Sequence, residues 1–188
     1  MPMRKRTAIA TATAFILGAV VSAIIWLGPK WTDSGAAIGM PQPVWSEVQW
    51  PFPIDQWGKG KAFRCNAIDC DAEVTIYIRA KIGFCNCTTG VSDDEELDRI
   101  SDFDLFGDKL SALGPGRPIT VAWMKGRSRA FTVGGAGSAL SVGFNDRCDA
   151  IVATAVLGHQ RPTAIEPAVL EFLNSQTVIR WATITLGL

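Results

Sequence analysis

The stretch Glu73-Val74-Thr75-Ile76-Tyr77-Ile78-Arg79-Ala80-Lys81-Ile82 decides the fold class, because its apolar residues recur at every second position. Val74, Ile76, Ile78, Ala80 and Ile82 fall on one side, and Glu73, Thr75, Tyr77, Arg79 and Lys81 on the other, the pattern of a half-buried strand. Toward the C-terminus, Ile119, Val121 and Trp123 repeat the alternation, and Lys125-Gly126 predicts a reversal into a strand through Arg129, Phe131 and Val133. Gly134, Gly135 and Gly137 supply the next turn and Leu140, Val142 and Phe144 the next strand. Asn145-Asp146 then turns the chain into Ala150 to Val156. The result is an antiparallel meander. Thr177 to Leu186, rich in Val, Ile, Thr and Trp, predicts one more strand.

Two helices interrupt the strands. Ser92-Asp93-Asp94-Glu95 has capping-box spacing and an acidic first turn, which predicts a short helix from Asp93 to about Ile100 with Ser92 as its cap. Pro167 suits a first helical turn, and Ala168, Val169, Leu170, Phe172 and Leu173 give an apolar face that ends at Asn174-Ser175. The expected class is α+β: one N-terminal transmembrane helix followed by a mainly antiparallel sheet with two short helices.

The transmembrane expectation comes from Thr7 to Gly28, a run without charge. Phe15, Ile16, Leu17, Ile24, Ile25, Trp26 and Leu27 are its principal anchor residues. As a helix it is roughly 33 Å long, enough to cross the hydrocarbon layer. Arg4, Lys5 and Arg6 precede it and only Lys30 follows closely, so the positive-inside bias keeps the N-terminus in the cytoplasm. Everything after Lys30 is then periplasmic, on a single-pass inner-membrane protein. A cleaved signal peptide has a shorter apolar region, and Val21-Ser22-Ala23 lies inside the run rather than after it. The expected organisation is residues 1–6 in the cytoplasm, 7–28 as a signal-anchor, 29–60 as a spacer rich in Pro and Trp, and 61–188 as the periplasmic domain. Trp45, Trp50, Phe52 and Trp57 are too many aromatics for a fully solvated spacer, so part of it is expected to lie against the domain or the membrane.

Eighteen basic residues balance eighteen acidic ones in 188 residues, so the chain as a whole offers no net attraction for nucleic acid. A single histidine, His159, and a single tyrosine, Tyr77, leave few general bases or metal ligands. Asp102, Asp104 and Asp108 resemble the start of a calcium loop, but Phe106 occupies a liganding position and the spacing reads as a solvated acidic turn. Lys125, Arg127 and Arg129 read as charges keeping a strand edge soluble, with lipid headgroups or an acidic partner as the alternative contact.

Five cysteines, Cys65, Cys70, Cys85, Cys87 and Cys148, remain as the residues able to carry unusual chemistry. In an oxidising compartment all five are disulfide candidates. The turn-like interval Asn66-Ala67-Ile68-Asp69 suits a Cys65–Cys70 bridge, and Cys148 suits Cys85 or Cys87, which are too close in sequence to pair easily with each other. One cysteine stays unpaired, and about fifteen arrangements are open to the sequence. The weaker alternative makes Cys85 and Cys87 a thiol-exchange or copper-handling site, without C-x-x-C spacing and with one remote imidazole. The functional expectation is a non-enzymatic, membrane-anchored periplasmic domain that needs no cofactor, contacts inner-membrane lipid through its anchor and binds a protein partner in the cell envelope.

Overall fold

A computed structural model of the protein describes residues 43–106, 110–134 and 137–188. The expected anchor over 7–28, with Phe15, Ile16, Leu17, Ile24, Ile25, Trp26 and Leu27, lies outside the described residues. Among the described residues no helix is long and apolar enough to cross a membrane.

Among the described residues eight strands form one antiparallel sheet. They are β1 Trp45–Val48, β2 Lys61–Cys65, β3 Val74–Lys81, β4 Leu110–Ala112, β5 Arg117–Val121, β6 Met124–Val133, β7 Gly137–Asp146 and β8 Asp149–Val156. Their order is β1-β2-β3-β8-β7-β6-β4, with β5 also paired to β6. Among the described residues there are four α-helices: α1 Ala67–Cys70 and α2 Asp94–Ile100 lie between strands, and α3 Pro162–Leu173 and α4 Gln176–Leu186 follow β8. A short 3-10 helix, Phe103–Phe106, follows α2.

The alternation of β3 puts Val74, Ile76, Ile78 and Ala80 in one core with Leu140, Val142 and Phe144 of β7 and Ile151, Ala153 and Ala155 of β8. Onto that face α3 and α4 lay Ile165, Val169, Phe172, Leu173, Val178, Ala182 and Leu186. Each fully buried large side chain contributes roughly 1.5–3 kcal/mol of transfer free energy, which makes this face the main source of stability. On the opposite face α2 packs Leu97 and Ile100 beside Val91, Ala150 and Val152. Gly143 makes that approach possible, since a Cβ there meets Leu97 Cδ1 at 2.9 Å and Ile100 Cδ1 at 3.0 Å. Both edges of the sheet reach the end of α3. Trp45 of β1 stacks on Phe172 at 4.8 Å, and Ala122, in the β5–β6 turn, donates its amide to Asn174 Oδ1 at 2.8 Å. The sheet therefore curls around the helix pair.

Several local expectations are corrected. Residues 177–186 form helix α4, not a strand: Ser175 caps it by accepting from the Val178 amide, and Val178, Ala182 and Leu186 recur at the helical interval of four. Helix α3 begins at Pro162, not Pro167, which lies inside it. In α2 the cap is Asp93, whose side chain accepts from the Glu96 amide at 2.8 Å, rather than Ser92. The β5–β6 reversal falls at Ala122-Trp123 instead of Lys125-Gly126, with Ala122 at φ 53°. The β7–β8 reversal is Arg147-Cys148, just beyond Asn145-Asp146, with Arg147 at φ 51°. The stretch read as spacer was expected to lie partly against the domain or the membrane, and of it Trp45–Val48 forms an edge strand while Trp50 and Phe52 cluster with Tyr77 of the domain.

Candidate functional site

The cysteines form two disulfides, Cys65–Cys70 and Cys87–Cys148. The first closes the one-turn helix α1 at the end of β2, where Asn66 O accepts from the Asp69 and Cys70 amides. The second pins the loop after β3 to the β7–β8 turn, joining residues 61 apart. Cys85 is free and buried. Its amide bonds Cys148 O at 3.1 Å and its thiol donates to Arg147 O at 3.2 Å, so the free sulfur sits beside the second bridge. Burial first, then the Glu96 and Asp149 carboxylates, push the Cys85 thiol up to about 11, against a smaller opposing pull from Arg99. A thiolate is disfavoured there, and Cys87 is already spent on Cys148. Among the described residues no group of three His, Cys, Asp or Glu side chains is placed to hold a metal ion.

A second polar cluster lies under the 3-10 helix. Asp102 accepts from Arg79 Nε at 3.0 Å and Nη2 at 2.5 Å, and Lys81 Nζ lies 2.8 Å from its Oδ1. Arg79 Nη1 also reaches Asp55 at 2.6 Å. The Arg79, Lys81 and Asp102 side chains are only 2%, 6% and 6% exposed, Asp55 35%. Two cations face two anions, which is how a buried charge escapes its desolvation cost. Lys81 also approaches the Trp57 and Phe84 rings, at 5.4 and 5.6 Å from their centroids. This cluster ties the segment before β2 and the segment after α2 onto β3. Asp102, one member of the acidic run, is thus an ion-pair partner instead of a solvated turn residue; Asp108 lies outside the described residues.

The basic run on β6 divides. Lys125 is exposed, whereas Arg127 pairs with Asp94 and donates to Gly116 O, and Arg129 donates to Asp98 Oδ2 at 2.6 Å and Gly114 O at 2.9 Å. These bonds fasten α2 and the loop before β5 to β6, so two of the three charges are structural.

Beside that loop, between β6 and the start of α3, lies a cleft of about 420 Å³. Its walls include Leu113, Pro115, Ala130 and Pro162, and its polar groups are Arg117, Ser128, Arg129, Arg161, Thr163 and Glu166. Glu166 is buried. Ser128 donates to its Oε1 at 2.5 Å and Arg117 pairs with Oε2. A buried carboxylate held by a hydroxyl and a guanidinium forms a fixed polar floor, while Arg161 stands exposed at the rim. The volume lies in the range typical of binding clefts. Sequence reasoning missed these residues because it started the helix at Pro167, which left Glu166 outside it. The available signal was the run Pro162, Ile165, Glu166 and Val169, spaced for one helical face. His159 is exposed in the turn before α3, and Ser138 donates to Gln160 O, so neither is set up as a catalytic pair.

Comparisons with family models, curated proteins and solved structures return no match for this chain.

Proposed function

We propose that the protein is an inner-membrane-anchored domain, displayed on the periplasmic side, that binds a protein partner of the cell envelope through the cleft beside Glu166. The cleft itself carries the reading: apolar walls, a hydrogen-bonded carboxylate floor and an exposed arginine offer shape and charge for a partner's side chains. Two disulfides fit an oxidising compartment. A thiol-exchange or copper-handling role for Cys85 and Cys87 is less well served, since one is buried with a raised pKa and the other is bonded to Cys148.

The test is site-specific photocrosslinking in intact cells with the reactive group at Thr163 on the cleft rim. The expected result is a discrete protein adduct that Arg161→Glu abolishes while the protein stays at the membrane. No adduct, or an adduct indifferent to Arg161→Glu, overturns the assignment of the cleft.

A further inference from the structure

Given the partner reading above, on which this rests, we propose that the Glu166 cleft takes an extended, acidic segment of the partner. The carboxylate of an internal Asp or Glu lies between Arg117 and Arg161, and a neighbouring aliphatic side chain enters the cleft.

The charges that line the cleft do not cancel. Arg117 pairs with Glu166, and Arg129 reaches Asp98 at 2.6 Å, while nearby Asp94 is matched by Arg127. Arg161, the third arginine of the lining, stands exposed without an ion pair among the described residues. Three arginines thus answer two carboxylates, and the surplus positive charge sits at the rim. An acidic group is the complement of such a rim.

Arg117 is positioned for the same contact. Only its Nη2 meets Glu166, and the side chain remains 61% exposed, which leaves its other N–H donors for a second carboxylate. Glu166 is itself fixed: it is 3% exposed and also accepts from Ser128, which is 1% exposed. A guanidinium held from beneath by a buried carboxylate has less freedom to lose when a partner binds.

Side chains, not backbone amides, supply most of the donors here. The Leu113 amide donates to Ala130 O at 2.9 Å, the Gly116 amide to Asp94 and the Ala164 amide to Arg161 O at 3.0 Å. Pro115 and Pro162 have no N–H. A free chain end is captured by a nest of backbone amides, whereas arginine clusters read acidic side chains. An internal acidic residue therefore fits better than a C-terminus. Below the rim, Leu113 is 54% exposed and lines the cleft with half-buried Ala130 and buried Leu140, an apolar seat for an aliphatic neighbour.

The experiment titrates the isotope-labelled full chain in detergent micelles with the blocked peptide acetyl-Ala-Leu-Glu-Leu-Ala-amide and with its Gln and Lys counterparts. The Glu peptide is expected to shift the amide resonances of Ser128, Ala130 and Thr163. Its binding is expected to be about tenfold tighter than that of the Gln peptide, the difference made by one charge-assisted contact. Arg161→Glu is expected to reverse the preference so that the Lys peptide binds and the Glu peptide does not, a swap that a purely structural role for Arg161 does not produce. Equal affinity for the Glu and Gln peptides, shifts remote from the cleft, no binding by any peptide, or binding only when the C-terminus is left unblocked overturns the inference. A Thr163 adduct in cells that Arg161→Glu abolishes, found beside any of those four results, removes the acidic assignment and leaves the partner reading standing. Absence of the adduct removes the partner reading and this inference with it.

Discussion

Replacing Asp102 by alanine removes the anion shared by Arg79 and Lys81 and leaves two buried cations with only the partly exposed Asp55. The local count changes from two positive and two negative charges to two positive and one negative, in a place water scarcely enters. Breaking a buried ion pair from one side costs about 3–5 kcal/mol, a large part of the 5–15 kcal/mol typical of a whole domain. With a urea dependence of about 2 kcal/mol per molar, the unfolding midpoint falls by roughly 1.5–2.5 M. Lys81→Met makes the comparison. It leaves the two-point Arg79–Asp102 pair in place and loses one charge-assisted bond, worth about 1.5–3 kcal/mol and partly offset by methionine packing on Trp57 and Phe84. Equilibrium urea unfolding followed by tryptophan fluorescence, disulfides intact, reads both. A loss below about 1 kcal/mol for Asp102→Ala, the size expected of a surface pair, would mean that the cluster is solvated and not buried.

Four further outcomes are expected. Opening the Cys87–Cys148 bridge by a double alanine substitution destabilises by roughly 4 kcal/mol, against roughly 2 for Cys65–Cys70, because the loops closed span 61 and 5 residues; equal midpoints in thermal unfolding contradict this. Iodoacetamide at pH 8 leaves Cys85 unlabelled in the folded protein, where about one thiol in a thousand is ionised, and labels it on unfolding; rapid native labelling by mass spectrometry argues against its burial. Asp94 feels burial pushing its carboxyl up, but Arg127, the Gly116 amide and Arg129 outweigh that and hold it below the ordinary 3.8. Its stabilisation is present above that value and is lost as pH falls through the folded-state pKa, so the stability gap between wild type and Asp94→Asn narrows on acidification; a pH-independent gap rules the linkage out. Gly143→Ala overpacks the contact with Leu97 and Ile100 and costs about 1–3 kcal/mol in urea unfolding, whereas a neutral result disproves the close approach of α2.

The alternation in 74–81 was readable because strand geometry imposes a period of two, and the antiparallel α+β class followed from it. The same alternation hid the burial of Arg79 and Lys81, since it reports sides of a strand and not what later covers them; the cover comes from Asp55 and Asp102, each more than twenty residues away. Residues 177–186 misled through the β-propensity of Val178, Ile179, Trp181 and Thr183. The Ser175 cap and the interval of four in Val178, Ala182 and Leu186 outweighed it once the helix had a core to face. The β5–β6 turn was invisible because Ala122 and Trp123 carry none of the usual turn residues, and the left-handed backbone at Ala122 is enforced by pairing on both sides. The cleft required the correct start of α3 as well as the approach of β5, and only the second is a long-range fact.

Two bridges, Cys65–Cys70 and Cys87–Cys148, and one buried thiol, Cys85, are the oxidation pattern that the proposed periplasmic placement requires. Alkylating the protein in denaturant directly from isolated membranes, before any reductant, and mapping the modified peptides tests it. One blocked cysteine, Cys85, is expected, with Cys65–Cys70 and Cys87–Cys148 recovered as linked peptides. Recovery of all five cysteines in alkylated form contradicts it.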